Sequence, residues 1–518
     1  MSRQSGIRRF VAVSIVGGLT AGCAVGPKYF RPAIEPPPGF KSAAPTGDPA
    51  TLREDWWQLY RDPELERLVV SATNANQTLR QAVARVDEAR ALARVAASYR
   101  YPAVSLGAVY TRQRTSASRV SPTTGQQVSG SATYNDWLVP VDLTYELDAW
   151  GRVRRSVQAA QAAALATADD EAVIRLAVQT DVAQDYYALR GFDAQSAVLR
   201  DTVAGYREQV RMLTVQVNTG LAGPLVLQQA QAQLQATLAQ QTDIDRARAD
   251  EEHALAILCG QPAESFTVAT NPVRDVAPPA VPPGLPASLL VNRPDVAEAE
   301  QNLVAANAQV GIATANLRPK FALTGAGGFE AGVVRSLFDW QSALWSLAGG
   351  VTAPIFQGGR LHANLDAAKA QYRQTVAAYV NRVLVAYGDV EDALTDLHAM
   401  TNELGNLRQA VAASEEYLRV AQVQYRNGLV DYLTVIDAER TLLSNQLALA
   451  RSLTVELNSS VHLIKSLGGG WHEAAGSSTV ASPRTEPNNG PNTASRALQE
   501  RSTSDGKHNF DADRFEHA

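Results

Sequence analysis

The feature that most restricts this chain is that it is written twice. Gly220-Leu221 and Gly428-Leu429 lie 208 positions apart, and the same spacing joins Trp137 to Trp345, Gly151-Arg152 to Gly359-Arg360, and Gly260 to Gly468. Landmarks held at one spacing over such a span identify two copies of one structural unit. Upstream, Pro102 matches Pro319 at a spacing of 217 rather than 208, so the first copy carries nine additional residues. They fall in "TSASRVSPTTGQQVSGSAT", whose Ser, Thr and Gly content reads as an exposed loop.

Each copy first predicts a pair of strands. Trp137, Val139, Val141, Leu143, Tyr145 and Leu147 point one way, while Pro140, Asp142, Thr144 and Glu146 point the other. One face suits lipid and the other suits water, which makes Asp142 and Glu146 candidates for the lining of a lumen. The second copy repeats the pattern with Trp345, Leu347, Val351 and Ile355 against Ser346 and Thr352. Earlier strands are predicted with Val104, Leu106 and Tyr110, or Phe321, Leu323 and Phe329, on one side. The four segments are placed at about 103–114, 136–147, 320–330 and 343–356, each near the ~10 residues of a tilted membrane strand. A single such strand by itself favours the edge of a soluble sandwich; four in one exported chain with a lipid-anchor signal reverse that preference. An open sheet in hydrocarbon leaves its edge amides and carbonyls without partners, and four strands cannot close a barrel. Two chains would pool eight strands, filled by side chains, whereas three would pool twelve and leave a pore.

After the second strand of each copy, helical patterns begin at Gly151 and Gly359 and continue to Asn218 and Asn427, which at 1.5 Å per residue is roughly 100 Å. Leu199, Val203, Tyr206, Val210, Leu213 and Val217 step 4-3-4-3-4, a heptad seam that copy two keeps with Leu407, Val411, Ser414, Leu418, Ala421 and Tyr425. Return helices are expected over 224–259 and 431–467, so "QVNTGLAG" and "YRNGLVD" close helical hairpins, with Asn and Gly supplying positive φ.

The amino terminus sets the compartment. Arg3, Arg8 and Arg9 precede the apolar run Phe10 to Val16 and then "GGLTAGC", a secretory signal too short for the ~20 residues of a membrane span. "LTAGC" resembles a lipobox with Thr20 where leucine is usual; that resemblance implies acylation of Cys23, and Ala24 after it implies outer-membrane sorting. The only other cysteine, Cys259, reads as a packed small side chain, so no disulfide framework and no metal-ligand cluster are expected. A net charge of -5 carries no basic excess for nucleic acid. The expected organisation is a signal peptide at 1–22, a lipidated extended segment at 23–60, repeat one at 61–260, a proline-rich linker at 261–292, repeat two at 293–470 and a disordered tail at 471–518.

"CAVGPKYFRP", "DWWQLYRDPEL", "ELDAWGRVRR", "PIFQGGRL", "YRNGLVDYLTVIDAERTLL" and "LGGGW" together resemble the outer-membrane efflux channels of TolC type, in particular the NodT-like lipoprotein branch that serves RND pumps. The resemblance spans about residues 23 to 471. It implies a mainly α fold with a transmembrane β portion: a homotrimer with one 12-stranded barrel in the bacterial outer membrane, continuous with a 12-helix barrel in the periplasm. It also implies a passive duct, docked by a periplasmic adaptor (membrane fusion protein) that links it to an inner-membrane RND-type pump. "YLTVIDA" matches the family's gate, which places an apolar ring at Leu433 and a carboxylate ring at Asp437. Asn218, Gly220, Leu221, Tyr425, Asn427, Gly428 and Leu429 fall on the tips where the adaptor docks. Across the duplication Asp437 corresponds to Gln229, so only copy two brings charge to that constriction, where a carboxylate ring favours cations.

Other classes fare less well. The seven histidines form no HExxH, and no nucleophile constellation is present, so neither catalysis nor a cofactor is expected. "TGAGGFEAG" (Thr324 to Gly332) has glycines within a predicted strand and no helix behind them, which argues for sheet curvature rather than phosphate binding. The rival reading is a lipid-anchored periplasmic coiled-coil scaffold or adaptor without a pore, for which lipid-facing strands would have no use.

Overall fold

A computed structural model describes residues 24–42, 52–116, 118, 130–272, 277–281 and 289–472. The signal peptide, Cys23, most of the loop insertion and nearly all of the tail lie outside the described residues. Repeat one comprises α1 (Pro63–Ala75), α2 (Gln77–Ser98), β1 (Ala103–Leu106), β2 (Val109–Arg114), β3 (Thr133–Leu147), α3 (Arg152–Asn218) and α4 (Pro224–Leu258). Repeat two comprises α5 (Leu289–Asn292), α6 (Pro294–Ala315), β4 (Lys320–Ala331), β5 (Ala343–Thr352), α7 (Arg360–Arg426) and α8 (Tyr432–Ser466).

The duplication holds in three dimensions. α3 and α7 each contain 67 residues, and α4 and α8 each contain 35. At the end of each return helix a glycine adopts positive φ, 67° at Gly260 and 91° at Gly468. Each lies against the carbonyl that precedes the 22-residue helix α2 or α6: an added Cβ would stand 2.4 Å from the Ala75 oxygen or 2.1 Å from that of Asn292. The next residues are equivalent too, since Asn76 donates to the Leu258 carbonyl (3.0 Å) and Arg293 to that of Ser466 (2.9 Å). Among the described residues, α5 corresponds to the last turn of α1. α1 buries Leu65, Leu68, Val69 and Ala72 with Trp56, Tyr186 and Leu255 in the largest apolar cluster, where Cys259 is also buried, as expected.

Two flanking segments are less extended than the sequence suggested. Trp56–Tyr60 forms a 3-10 turn that buries Trp56, and the linker begins by packing on repeat one, with Phe266 and Val268 buried. Charged side chains hold that stretch down. Glu252 accepts the Val268 amide (2.6 Å), Arg248 donates to the Val268 carbonyl (2.8 Å), and Asp193 accepts the Asn271 amide (2.9 Å).

The sheet is antiparallel in the order β1/β2–β3–β4–β5, so both outer edges are open among the described residues. The single strand expected over 103–114 is interrupted, yet β1 and β2 keep one register on β3, with Leu106 opposite Val141 and Val109 opposite Leu138. The cause is Pro140, which lacks an N–H for the ladder. Its carbonyl accepts the Gly107 amide (3.0 Å), and Gly328 crosses it so closely that a Cβ there would meet the Val139 oxygen at 2.1 Å. β5 stops at Thr352 rather than 356, two residues before Pro354.

Both hairpin turns are Schellman motifs. Leu221 donates to Gln216 (2.8 Å) and Gly220 to Val217 (3.1 Å), and the second copy repeats both bonds from Leu429 to Gln424 and from Gly428 to Tyr425 (2.9 Å each). Positive φ is confined to Gly220 (76°) and Gly428 (71°). The expectation that asparagine shares this task is corrected: Asn218 is the last residue of α3, and Asn427 has φ -90° while its amide bonds the Val423 carbonyl (2.8 Å). The heptad seam is present, with Leu199, Val203, Tyr206 and Leu213 buried in α3 and Ser414 and Ala421 in α7.

Candidate functional site

Cross-strand register sorts the sheet into two chemistries. Side chains directly opposite one another share a face, so Val104, Leu143, Gly325 and Leu347 form one row, and Leu106, Val141, Gly327 and Trp345 the next. Leu147, Phe321 and Val351 complete the apolar face toward the helices. On the other face Ser105, Asp142, Ala326 and Ser346 form a row, as do Thr144, Thr324 and Ala348, and Lys320 pairs with Thr352. The glycines of "TGAGGFEAG" therefore stand in β4 between large neighbours: a Cβ added at Gly325 would stand 3.7 Å from both the Leu143 Cβ and a Leu347 methyl. Trp345 is 83% exposed, and Val104, Leu106, Leu347 and Val351 are exposed as well. A contiguous apolar face of this kind marks a contact with lipid or protein.

The two predicted lumen residues differ. Asp142 is exposed on the polar face. Glu146, on the same face, is committed to a bidentate pair with Arg152 at the start of α3, at 2.7 Å for each oxygen. Arg152 is correspondingly held above the usual guanidinium range.

At the far end of the hairpins, Leu433 and Asp437 lie four residues apart on one exposed face of α8, while Tyr432, Val435, Ile436 and Ala438 are buried on the other. Leu433 is 56% exposed, and Asp437 accepts a hydrogen bond from the Tyr417 hydroxyl of α7 (3.1 Å). The equivalent leucine of repeat one, Leu225, is exposed too, whereas Gln229 stands in place of Asp437. Asn218, Gly220, Leu221, Asn427, Gly428 and Leu429 are exposed at the two turns, and an added Cβ at either glycine would meet nothing. Tyr425 is half-buried, its ring 5.4 Å from that of Tyr432.

Two sets of residues escaped the sequence reading. Glu439, two positions after Asp437 and on the opposite side of α8, is bonded by Gln209 of α3, and its second oxygen is buried without a partner. Desolvation pushes its carboxyl up to about 7. The other set is Asp193, fully buried between Arg190 (3.2 Å) and Arg248 (2.6 Å), which are 3 and 55 residues away in the chain.

The segment after Cys23 is also placed. The Val25 amide donates to the Trp150 carbonyl (3.0 Å), and Gly26 packs against Gly311 of α6 so closely that a Cβ would stand 2.6 Å from its Cα. Arg155 and Asn307 both bond the Pro27 carbonyl, at 3.0 and 3.3 Å, and Tyr29 and Arg31 bind Glu300. Ala24 therefore sits beside Gly151, where β3 passes into α3.

Among the described residues no cluster of three His, Cys, Asp or Glu side chains is placed to hold a metal ion, and no helix is long and apolar enough to cross a membrane. The model of the outer membrane efflux protein family matches residues 68–261 and 285–469. The chain is 33% identical over 463 residues to the toluene efflux pump outer membrane protein TtgF of Pseudomonas putida, covering 87% of this chain and 95% of that one. It is 31% identical over 472 residues to outer membrane protein OprJ of Pseudomonas aeruginosa, covering 90% and 96%. Among solved structures, the outer-membrane channel OprN superposes with a TM-score of 0.81 at 29% identity, covering 87% of this chain and 100% of that one.

Proposed function

The chain belongs to the outer membrane efflux protein family, and from that premise we propose that three copies pool their sheets into one twelve-stranded barrel continued by a twelve-helix tunnel. The protein is the outer-membrane component of an efflux system; the tunnel is its passive duct, and the six exposed tips receive a periplasmic adaptor coupled to an inner-membrane RND-type pump. Acylation of Cys23 anchors the chain, since Ala24 lies where the sheet gives way to helix. Leu433 and Asp437 face the constriction.

The observation that carries this reading is the sheet's registered division into an exposed apolar face and a polar face, bounded by two open edges. Edge amides and carbonyls without partners cost several kcal/mol each in hydrocarbon, so neighbouring chains must supply them. A soluble scaffold would instead expose that apolar face to water. Reconstitution of the mature chain in a planar bilayer should give stepwise conductance from a detergent-solubilised trimer. A silent membrane, with the protein monomeric in detergent-free buffer, would return the scaffold reading.

A further inference from the structure

The corner where each second strand turns into its long helix is built from "ELDAWGR" in repeat one and "PIFQGGR" in repeat two, so Glu146, Asp148 and Arg152 correspond to Pro354, Phe356 and Arg360. In repeat one the corner is neutralised internally. Glu146 pairs with Arg152 at 2.7 Å, while Asp148 pairs with Arg154 (3.1 Å) and accepts the Val153 and Arg154 amides (2.9 Å each). In repeat two both carboxylates are missing, and Lys320 stands where the first copy has Ala103. Among the described residues neither Lys320 nor Arg360 has a carboxylate partner; the Arg360 guanidinium bonds the Gln357 side chain. Both cations line a cavity of about 720 Å³, with Asn316 and Asn364 as further polar groups. Ile355 and Phe356, 92% and 88% exposed, border the same cavity.

We propose that this corner binds the headgroup of an anionic amphiphile, whose carboxylate or phosphate takes the part that Glu146 and Asp148 play in repeat one, with its alkyl tail on Ile355 and Phe356. The guanidinium that holds a carboxylate in one copy is presented unpaired in the other, so the molecule itself shows the bidentate geometry available to a ligand. Two like charges facing one cavity without a counter-charge repel each other, and a bound anion relieves that repulsion. Because Lys320 and Thr352 lie on the sheet's polar face, the site stands beside the path of cargo; that assignment rests on the channel reading, whereas binding itself does not.

The test uses the full mature chain in dodecyl maltoside and measures equilibrium binding of decanoate and decyl phosphate, with decanol as the uncharged control. Saturable binding of both anions in preference to decanol is expected. Pro354→Glu combined with Phe356→Asp, which transplants the repeat-one carboxylates, should weaken decanoate binding at least about tenfold, the scale of one charge-assisted contact. Lys320→Gln with Arg360→Gln, which leaves the loop unaltered, should do the same. Displacement of decanoate by dihexanoyl phosphatidylglycerol would identify the bilayer as the natural source, and its failure to displace would identify a free amphiphile in transit. Equal affinity for decanol and decanoate, or unchanged decanoate affinity in both double variants, would overturn the proposal. Step conductance of the transplanted variant in bilayers separates this outcome from failure of the channel reading.

Discussion

The two copies share their backbone and diverge in their charges. Both hairpins close through the same pair of hydrogen bonds to Gln and Val or Gln and Tyr, and both return helices end on a glycine pressed against a carbonyl. Where repeat one buries Asp193 between two arginines, however, repeat two has Thr401, His398 and Glu456 at the equivalent positions. Where repeat two exposes Asp437, repeat one has Gln229. Geometry that the backbone must meet in both copies was kept, and side chains whose work is done once were free to change. The duplicated frame thus supplies, for each specialised residue, an internal control with the same surroundings.

That comparison can be broken most forcefully at Asp193. Removing the carboxylate leaves the buried Arg190 without its ion partner, while Arg248 keeps Glu252 (3.1 Å), so Asp193→Ala should lower unfolding stability by about 3 kcal/mol. Thr401→Ala, its equivalent in repeat two, removes a hydroxyl from an exposed side chain and should cost less than about 1 kcal/mol. Thermal and denaturant unfolding of the two variants in detergent measures the difference, and equal losses would show that the copies had not divided this role.

A smaller effect is expected at Glu439. Its carboxyl rises from an ordinary 4.5 to about 7 in the folded chain. The folded state therefore holds its proton more tightly than the unfolded one, and the associated stability is full below about pH 4.5 and is lost as pH climbs to about 7. The groups facing it are Tyr206 and Gln209 of α3 and Tyr432 of α8, with Arg440 nearby. Glu439→Gln should remove that slope between pH 5 and 7 and leave the contact to α3 firmer at pH 7.5. Hydrogen exchange of α8 amides against pH reads this directly; an unaltered slope would exclude Glu439 as its source.

The least costly test compares Asp437→Ala with Gln229→Ala. Loss of a solvent-exposed carboxylate is worth at most about 1 kcal/mol, so single-channel conductance should rise severalfold at most in the first variant and its preference for cations should fall. The second should behave as wild type. Identical currents from both would remove the asymmetry assigned to the gate.

Much of the frame was legible because the residues that fix it act locally. Gly151 and Gly359 start helices, Pro224 and Asp431 restart them, and the spacing of 208 ties each pair together, so helix limits were read to within a residue or two. The break at Gly107 was not legible, because it depends on which residue of a strand some thirty positions away faces Pro140. Assigning positive φ to asparagine followed residue preference, whereas the Schellman geometry demands it at one position only, and glycine takes it. At the candidate gate, periodicity could place Leu433 and Asp437 on one face of α8, but their role came from family resemblance alone. Glu439 and Asp193 stayed hidden because burial by a second helix leaves no periodic trace in the first.

The sheet's two unsatisfied rims carry a consequence for inheritance. Any ring assembled from such sheets shares every seam between neighbours, so a subunit with one ruined rim spoils the whole ring it joins and wastes its sound companions. A lesion in β5 that leaves the chain able to associate should thus be dominant over an intact gene copy, whereas a lesion that prevents the chain from folding at all should be recessive.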